Sequence, residues 1–339
     1  MKSPLTGRDM AIKTEKREMT FRKKSFVIDF HFYQDDETGE EFTDEKLGDL
    51  NINQLFNQYR AKYNLPFPDE IIELRERYGL SAAKLSEALG FGANVYRNYE
   101  NGEIPSESNA RLIQLAKDAV EFKKLIKLSV GFEGKELARI NNRLDELIAE
   151  KESLLHFDFE ELLIGEKVAS EFTGYKVPNL VKATGMIVYF TEKMNENGEL
   201  WKTQLNKLMF YSDFCHYKST GHSISGLQYR AIQRGPVPSS FGALYEHAAK
   251  DYVDINYYES EDGNRSGEKF TPNHKHKFNP DLFTVSEMKT LECVAETFLR
   301  TSTKDIVRLS HEEDAWIENE GDKKIISYNK AFTLKNIKL

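Results

Sequence analysis

The most informative chemistry in this chain sits on Asn94, Arg97 and Asn98. An Asn amide pairs bidentately with adenine, and an Arg guanidinium with guanine, at base edges in a DNA major groove. Residues spaced this way share one face of a helix. Gly92 and Ala93, just before them, are small enough to let the helix start come close to a duplex, where backbone amides also bind phosphate. Ser81 and Lys84 are the expected phosphate contacts. The plainer reading of the same residues is a solvated polar face on a pair of helices.

Other groupings offer less. Cys215 and His216 are neighbours, and neighbours on a helix point to different faces, so they make a poor nucleophile–base pair. His274 and His276 form an incomplete metal site. Glu312-Glu313-Asp314 reads as an acid cluster at a helix N-terminus. The sequence contains no phosphate-binding Gly-rich loop, Gly-x-Ser-x-Gly elbow or His-Glu-x-x-His pair. The expectation is a protein that is not an enzyme and needs no catalytic residue, metal or cofactor.

Composition sets the frame for these residues. The chain has 339 residues, with 47 Lys and Arg against 55 Asp and Glu, a net charge of −8. That size favours two or three domains. The acidic balance disfavours a protein that coats nucleic acid non-specifically, while still permitting a local DNA-reading module. Mean hydropathy is −0.59. Two cysteines without a Cys-x-x-Cys pair exclude a disulfide scaffold and a Cys-based zinc site, and fit a reducing cytoplasm. No signal peptide or membrane span is expected.

Pattern divides the chain into four regions: a β module over 1–60, a helical DNA-binding domain over 61–128, a helical linker over 129–178, and a mostly helical domain over 179–339. The fold class is therefore mainly α with a small N-terminal β module. Phe26–Tyr33 reads as a strand, with an earlier one around Thr14–Met19. Ser81 should cap a helix over Ala82–Leu89, with Gly90 at its C-terminal end. Gly92 opens a second short helix that ends near Gly102, and Ser106 or Ser108 caps a longer one running through Phe122. Leu137, Ile140, Leu144, Leu147 and Ile148 recur at steps of three and four. They suit either a short coiled coil or helical hairpin that makes a dimer, or an amphipathic helix lying on the protein's own body. Residues 254–280 read as a polar, mobile loop.

The stretch Leu80–Gly102 resembles the Cro/Xre-like helix-turn-helix, in the version found in MqsA-type antitoxins. Gly92-Ala93-Asn94 matches its start and Tyr99-Glu100-Asn101-Gly102 its end. The resemblance implies that Asn94 reads a base. The Arg that precedes the Tyr in those antitoxins is replaced by Asn98, and Arg97 stands one place earlier. The same resemblance aligns Ser3-Pro4-Leu5-Thr6-Gly7 and Asp35-Asp36-Glu37-Thr38-Gly39 with two zinc knuckles. The turn glycines remain and all four thiolates are lost, so zinc-ribbon-like hairpins that hold without metal are expected. The basic residues of this module, Lys13, Lys16, Arg17, Arg22, Lys23 and Lys24, suit nucleic acid, an acidic partner or a solvated hairpin face. From Asp69 to Asp118 six basic residues face nine acidic ones, so a single module should hold phosphates weakly and a homodimer on two half-sites is expected.

Residues 183–320 resemble the Panacea (SocA-like) domain of toxin–antitoxin systems. The match runs through Leu205–Asp213, Gly221–Ser225, Tyr229–Pro238 and Leu309–Trp316. The resemblance implies an antitoxin that grips a cognate toxin protein and represses its operator DNA. Its candidate toxin-binding residues are Lys207, Tyr211, Tyr229, Arg230, Arg234, Gly235, Pro236, His311 and Trp316. The alternative is a DNA-binding regulator whose C-terminal domain is a proteolytic or phage-related adaptor.

Overall fold

The β-branched and aromatic run at Phe26–Tyr33 does form a strand. The computed structural model describes residues 1–129, 131–153, 159–196, 198–259 and 266–337, and the chain divides into two units, 1–157 and 158–339. In the first unit, β2 (Lys24–Gln34) pairs antiparallel along its length with β1 (Ala11–Phe21), and at Tyr33–Gln34 with β3 (Glu41–Phe42). Arg22 and Lys23 make the connecting turn, with φ of 47° and 62°. Two positive φ values give the turn whose twist suits a two-residue hairpin.

An element with no counterpart in the sequence reading covers this hairpin. Helix α1 (Glu45–Tyr63), capped by Asp44, lies against the edge of β2 that β1 leaves open. Asn51 exchanges two hydrogen bonds with the backbone of His31 (2.8 and 2.9 Å), and Gln54 two with that of Asp29 (3.0 and 2.7 Å). Gln58 donates to the carbonyl of Val27 at 2.9 Å. Side-chain amides thus take the place of a neighbouring strand and block the edge from further pairing. Phe26 and Ile28 on β2 pack with Leu55 and Tyr59 of α1, and with Ile104 and Ala110 further along the chain. The boundary expected at residue 60 therefore falls inside a helix and inside a shared core.

The two knuckle-like segments come together. Ser3 accepts from the amides of Leu5 and Thr6, both at 3.2 Å, and Asp35 accepts from those of Glu37 and Thr38 at 2.9 and 3.3 Å. Gly7 and Gly39 each have a φ of 73° and close their turns with bonds of 2.9 and 2.8 Å to the carbonyls of Ser3 and Asp35. The Ser3 and Thr6 hydroxyls both donate to the Asp35 carboxylate. These bonds hold the Asp35 carboxyl well below the usual carboxylate range.

Next come α2 (Pro68–Arg77), α3 (Ala82–Ala88), α4 (Val95–Glu100), α5 (Glu107–Leu115), α6 (Ala119–Leu128) and α7 (Gly134–Ser153). Ser81 caps α3, and Ser106 caps α5. The helix expected to run through Phe122 is two helices, because the Asp118 side chain accepts from the amides of Val120 and Glu121 and starts α6 afresh. Ile140, Leu144 and Leu147 of α7 are buried in one core with Leu85, Tyr96, Phe122 and Ile126. The apolar stripe is thus used inside the chain, which selects the amphipathic-helix reading over the coiled coil and removes that argument for a dimer. Leu154 and Leu155, at the end of the stretch, lie outside the described residues.

The second unit is built around α10 (Lys202–Thr220), buried on every side from Gln204 to Tyr217. Before it come α8 (Phe159–Ile164), α9 (Leu180–Asn195) and the short β4 (Leu200–Trp201). After it come β5 (Tyr229–Ile232), β6 (Gly235–Pro238), α11 (Phe241–Asp251), β7 (Val253–Glu259), β8 (Ser266–Pro272), α12 (Val285–Phe298), α13 (Thr303–His311) and α14 (Asp314–Ile317). Helices α9, α12 and α13 and the β5–β6 hairpin pack directly on α10. Gly235–Pro238 is a strand paired with β5. One reading needs correction here, because residues expected to form a mobile loop supply β7 and β8 of a three-stranded sheet ordered β4-β8-β7. The buried Val253 and Phe270 anchor those strands, while their polar neighbours face solvent and mask the pattern. Asp262-Gly263-Asn264-Arg265, part of the expected loop, lies outside the described residues.

Two outcomes follow from these contacts. In an Asp35→Asn variant the amide group would meet hydroxyls already committed as donors, so amide protection in β1–β2 should fall at neutral pH, as read by hydrogen exchange. Folding keeps Asp35 ionised, so its contribution is present at neutral pH and is lost below about pH 4, where an unfolded carboxylate takes up its proton. The gap between the variants should narrow as the pH falls through that range. Second, Ser86 Oγ accepts from the Tyr96 amide at 3.0 Å, and Ser86→Ala leaves that buried donor without a partner. Urea unfolding of the chain should show the helical part of the first unit destabilised by about 1–3 kcal/mol.

Candidate functional site

The candidate reading face is held from behind by buried contacts. Helix α3 ends in a turn where Phe91 donates to the Ser86 carbonyl (2.7 Å) and Gly90 to that of Glu87 (3.1 Å). Gly90 adopts the left-handed conformation, φ 72°, that such an ending requires. Ser86, buried on α3, then caps the amide of Tyr96 and so ties the second helix to the first. The Tyr96 hydroxyl donates to the Ile71 carbonyl at 2.7 Å, pinning α4 to α2. Glu100 accepts from Arg75 at 2.5 Å, and Tyr99 accepts from Asn109 at 2.8 Å. The residues Tyr99 and Glu100 that carry the helix-turn-helix resemblance therefore do structural work. They fix the angle of α4.

What remains outside is the opposite face of α4. Gly92, Ala93, Asn94, Arg97 and Asn98 are all exposed. The side chains of Asn94, Arg97 and Asn98 take no hydrogen bond or ion pair from other described residues. Ser81 is exposed, and its oxygen accepts from the Lys84 amide at 3.2 Å. Lys84 departs from expectation. Its ammonium lies 3.2 Å from Glu87 and 3.0 Å from Glu136, donates to the Gly131 carbonyl at 3.0 Å and sits over the Phe132 ring. The two carboxylates raise its pKa. Lys84 clamps α3 to the start of α7 and is not a free phosphate contact. The basic hairpin residues are similarly occupied. Lys13, Lys16 and Arg17 pair with Asp36, Asp29 and Glu41, and Arg22 donates to the carbonyls of Ile104 and Pro105. Lys23 and Lys24 remain exposed at the turn.

In the second unit, most of the candidate partner-binding residues hold the interior. Asp213, wholly buried on α10, accepts from the amides of Ile224 and Ser225 (both 2.8 Å), from the Ser225 hydroxyl and from Tyr229 (2.7 Å). It organises the path from α10 into β5, and burial raises its pKa despite these donors. Tyr211 donates to Glu313 at 3.1 Å, and Glu313 also accepts from the amides of Lys335 (2.8 Å) and Asn336 (3.1 Å). Tyr211 and Tyr229 are fully buried and present no surface to a partner. The sequence reading did not single out Ser86, Asp213 or Glu313 as anchors. Asp213 alone gives a local signal, as a carboxylate in the largely apolar stretch Leu208–Cys215, whereas Ser86 and Glu313 sit among polar neighbours.

Lys207 is buried as well, and its ammonium donates to the Pro236 carbonyl at 2.9 Å. Burial brings its pKa down to about 7. Gly235 makes this arrangement possible, because a Cβ there would lie 2.9 Å from the ammonium nitrogen and 2.5 Å from Ser310 Oγ. His311 stacks on Trp316 with ring centres 3.9 Å apart, and the indole donates to the Ile232 carbonyl at 2.8 Å. Burial and the neighbouring Lys207 lower the His311 pKa. Lys207, Gly235, Pro236, His311 and Trp316 thus gather around the β5–β6 hairpin. Arg230 and Arg234 are exposed on it. Cys215 is wholly buried and its thiol is pushed far above its ordinary value, while the adjacent His216 ring contacts the His222 carbonyl at 2.8 Å.

No helix among the described residues is long and apolar enough to cross a membrane. No curated protein matches the sequence. Residues 71–116 match the helix-turn-helix family model, which spans α2 to the end of α5 and contains the whole exposed face. Residues 205–317 match the model described as antitoxin SocA-like, Panacea domain, which runs from α10 to α14 and contains the buried Asp213 and Lys207 networks. Both are regulatory, non-enzymatic domain types. This chain joins a Cro/Xre-type helix-turn-helix to an antitoxin SocA-like Panacea domain, the architecture of a toxin–antitoxin-type regulator.

Proposed function

We propose that this protein is an antitoxin that neutralises a toxin by binding it directly through the Panacea domain, and that it represses its own operon through the helix-turn-helix. The observation that carries the regulatory half is the exposed Asn94–Arg97–Asn98 face of α4. These side chains have no partner among the described residues, while the other side of the helix is committed to the core. Asn94 and Asn98 offer paired donor and acceptor groups to adenine, and Arg97 a fork to guanine. The Panacea match supports the neutralising half.

Electrostatics shapes how such a repressor works. The region around the face has nine acidic residues against six basic, and Lys84 is held by Glu87 and Glu136. Affinity then leans on base contacts more than on phosphate contacts, and two copies on a two-fold operator supply what one module lacks.

Gel retardation on the protein's own promoter region measures the first role. Arg97→Ala and Asn94→Ala should each weaken binding by about 1–3 kcal/mol, roughly five- to 150-fold. Lys84→Ala should cost more in thermal stability than in DNA affinity. If both face variants bind as the wild type does, the repressor role fails. For the second role, the protein should rescue growth when the product of the adjacent gene is expressed, and should co-purify with that product. No rescue and no co-purification by the full chain would refute neutralisation.

A further inference from the structure

The second unit contains an open groove of about 1940 Å³, lined by β4, the start of α10, β7, β8, the β5–β6 hairpin and the connection between α12 and α13. Enclosed sites for small molecules run to about 1000 Å³, so this one is sized for a segment of a macromolecule.

Its lining is divided chemically. The sheet supplies Trp201 and Tyr258, packed edge to face at 5.7 Å, and Tyr258 is 42% exposed. The Lys269 ammonium sits 4.7 Å from the Trp201 ring centre and 4.1 Å from that of Tyr258. Charge on this side is balanced locally, because Lys269 pairs with Glu199 at 2.6 Å and Lys202 with Glu268 at 2.5 Å. The hairpin, the α12–α13 connection and the first turn of α13 supply Arg234, Arg300 and Lys304, all exposed and none ion-paired to a described residue. Lys207 also reaches the lining, with one hydrogen bond to use three donors. The groove therefore joins a neutral aromatic surface to an excess of cations with no anionic partner among the described residues.

Such a surface suits a chain that carries carboxylates along one side and an aromatic or aliphatic anchor on the other. A polynucleotide fits less well, because its phosphates would also run past Glu199 and Glu268 on the sheet side. We propose that this groove binds an extended acidic segment of the toxin, anchored on Trp201 and Tyr258 and held by Arg234, Arg300 and Lys304. The proposal rests on the neutralising role above and assigns that role a surface. It also moves the partner site away from Tyr211 and Tyr229, and keeps Arg234 within it.

Fluorescence anisotropy with the full-length protein tests the chemistry. The probe is a labelled twelve-residue peptide of Glu and Asp interspersed with Trp and Leu. A copy with Lys in place of the acids and an oligothymidylate of equal charge are the comparisons. The acidic peptide should bind, and binding should weaken with salt. Combined Arg234→Glu, Arg300→Glu and Lys304→Glu changes should weaken it at least tenfold, and so should Tyr258→Ala, whereas Lys289→Glu, an exposed change outside the groove, should not. The three arginine and lysine sites are exposed and unpaired among the described residues, so the combined variant should keep the wild-type melting temperature. Failure of the acidic peptide to bind, equal loss with Lys289→Glu, or equal or tighter binding of the oligothymidylate would overturn the proposal. A parallel growth assay separates the two ideas. If the combined variant still rescues growth as the wild type does, the groove is not the toxin site and neutralisation stands. If the wild type itself gives no rescue, the neutralising role falls with it.

Discussion

A hydrogen-bonding group taken out of water must find a partner inside the protein, and this requirement organises both halves of the molecule. Leaving such a group unpaired costs about 1–3 kcal/mol, a large part of the net stability of a domain. The open edge of β2 is satisfied by Asn51, Gln54 and Gln58. The Tyr96 amide in the first turn of α4 is met by Ser86, the backbone before β5 by Asp213, and the amides of Lys335 and Asn336 by Glu313. In each case a polar side chain holds the backbone of another segment. The paired turns at Ser3–Gly7 and Asp35–Gly39 follow the same rule, with the Asp35 carboxylate collecting hydroxyl and amide donors from both.

That rule also separates structural from available polar groups. In the helix-turn-helix, Ser86, Tyr96, Tyr99, Glu100 and Lys84 are all engaged within the protein, and they set the position of a helix of six residues. A helix this short has little stability of its own, so its orientation depends on these ties. Asn94, Arg97 and Asn98 stay exposed on its outer side, without a partner among the described residues.

The Panacea domain applies the same economy around α10. Its buried tyrosines, Asp213 and Glu313 lock the hairpin β5–β6 and the C-terminal segment to one helix. Gly235 leaves room for the Lys207 ammonium beneath that hairpin. Arg230 and Arg234 lie exposed on the hairpin that this framework holds in place.

The sequence by itself determined the local signals. Ser81 and Gly90 bracket α3, the aromatic run makes β2, and Gly92 to Asn98 mark a small polar face, because caps, turns and side-chain periodicity act over a few residues. It also carried both family resemblances. Tertiary structure decided the rest. The α7 stripe was compatible with a partner chain or with its own body, and only the core holding Leu85 and Phe122 beside Ile140 settled which. Helix α1 gave little periodic signal, because Asn51 and Gln54 occupy buried positions where apolar residues would be expected. Strands β7 and β8 look like a polar loop because few of their side chains are buried. Lys84 reads as a free cation until Glu136, more than fifty residues away, is brought beside it. Whether a polar side chain is a tie or a contact depends on what folding places next to it, and sequence spacing carries no information about neighbours that far apart.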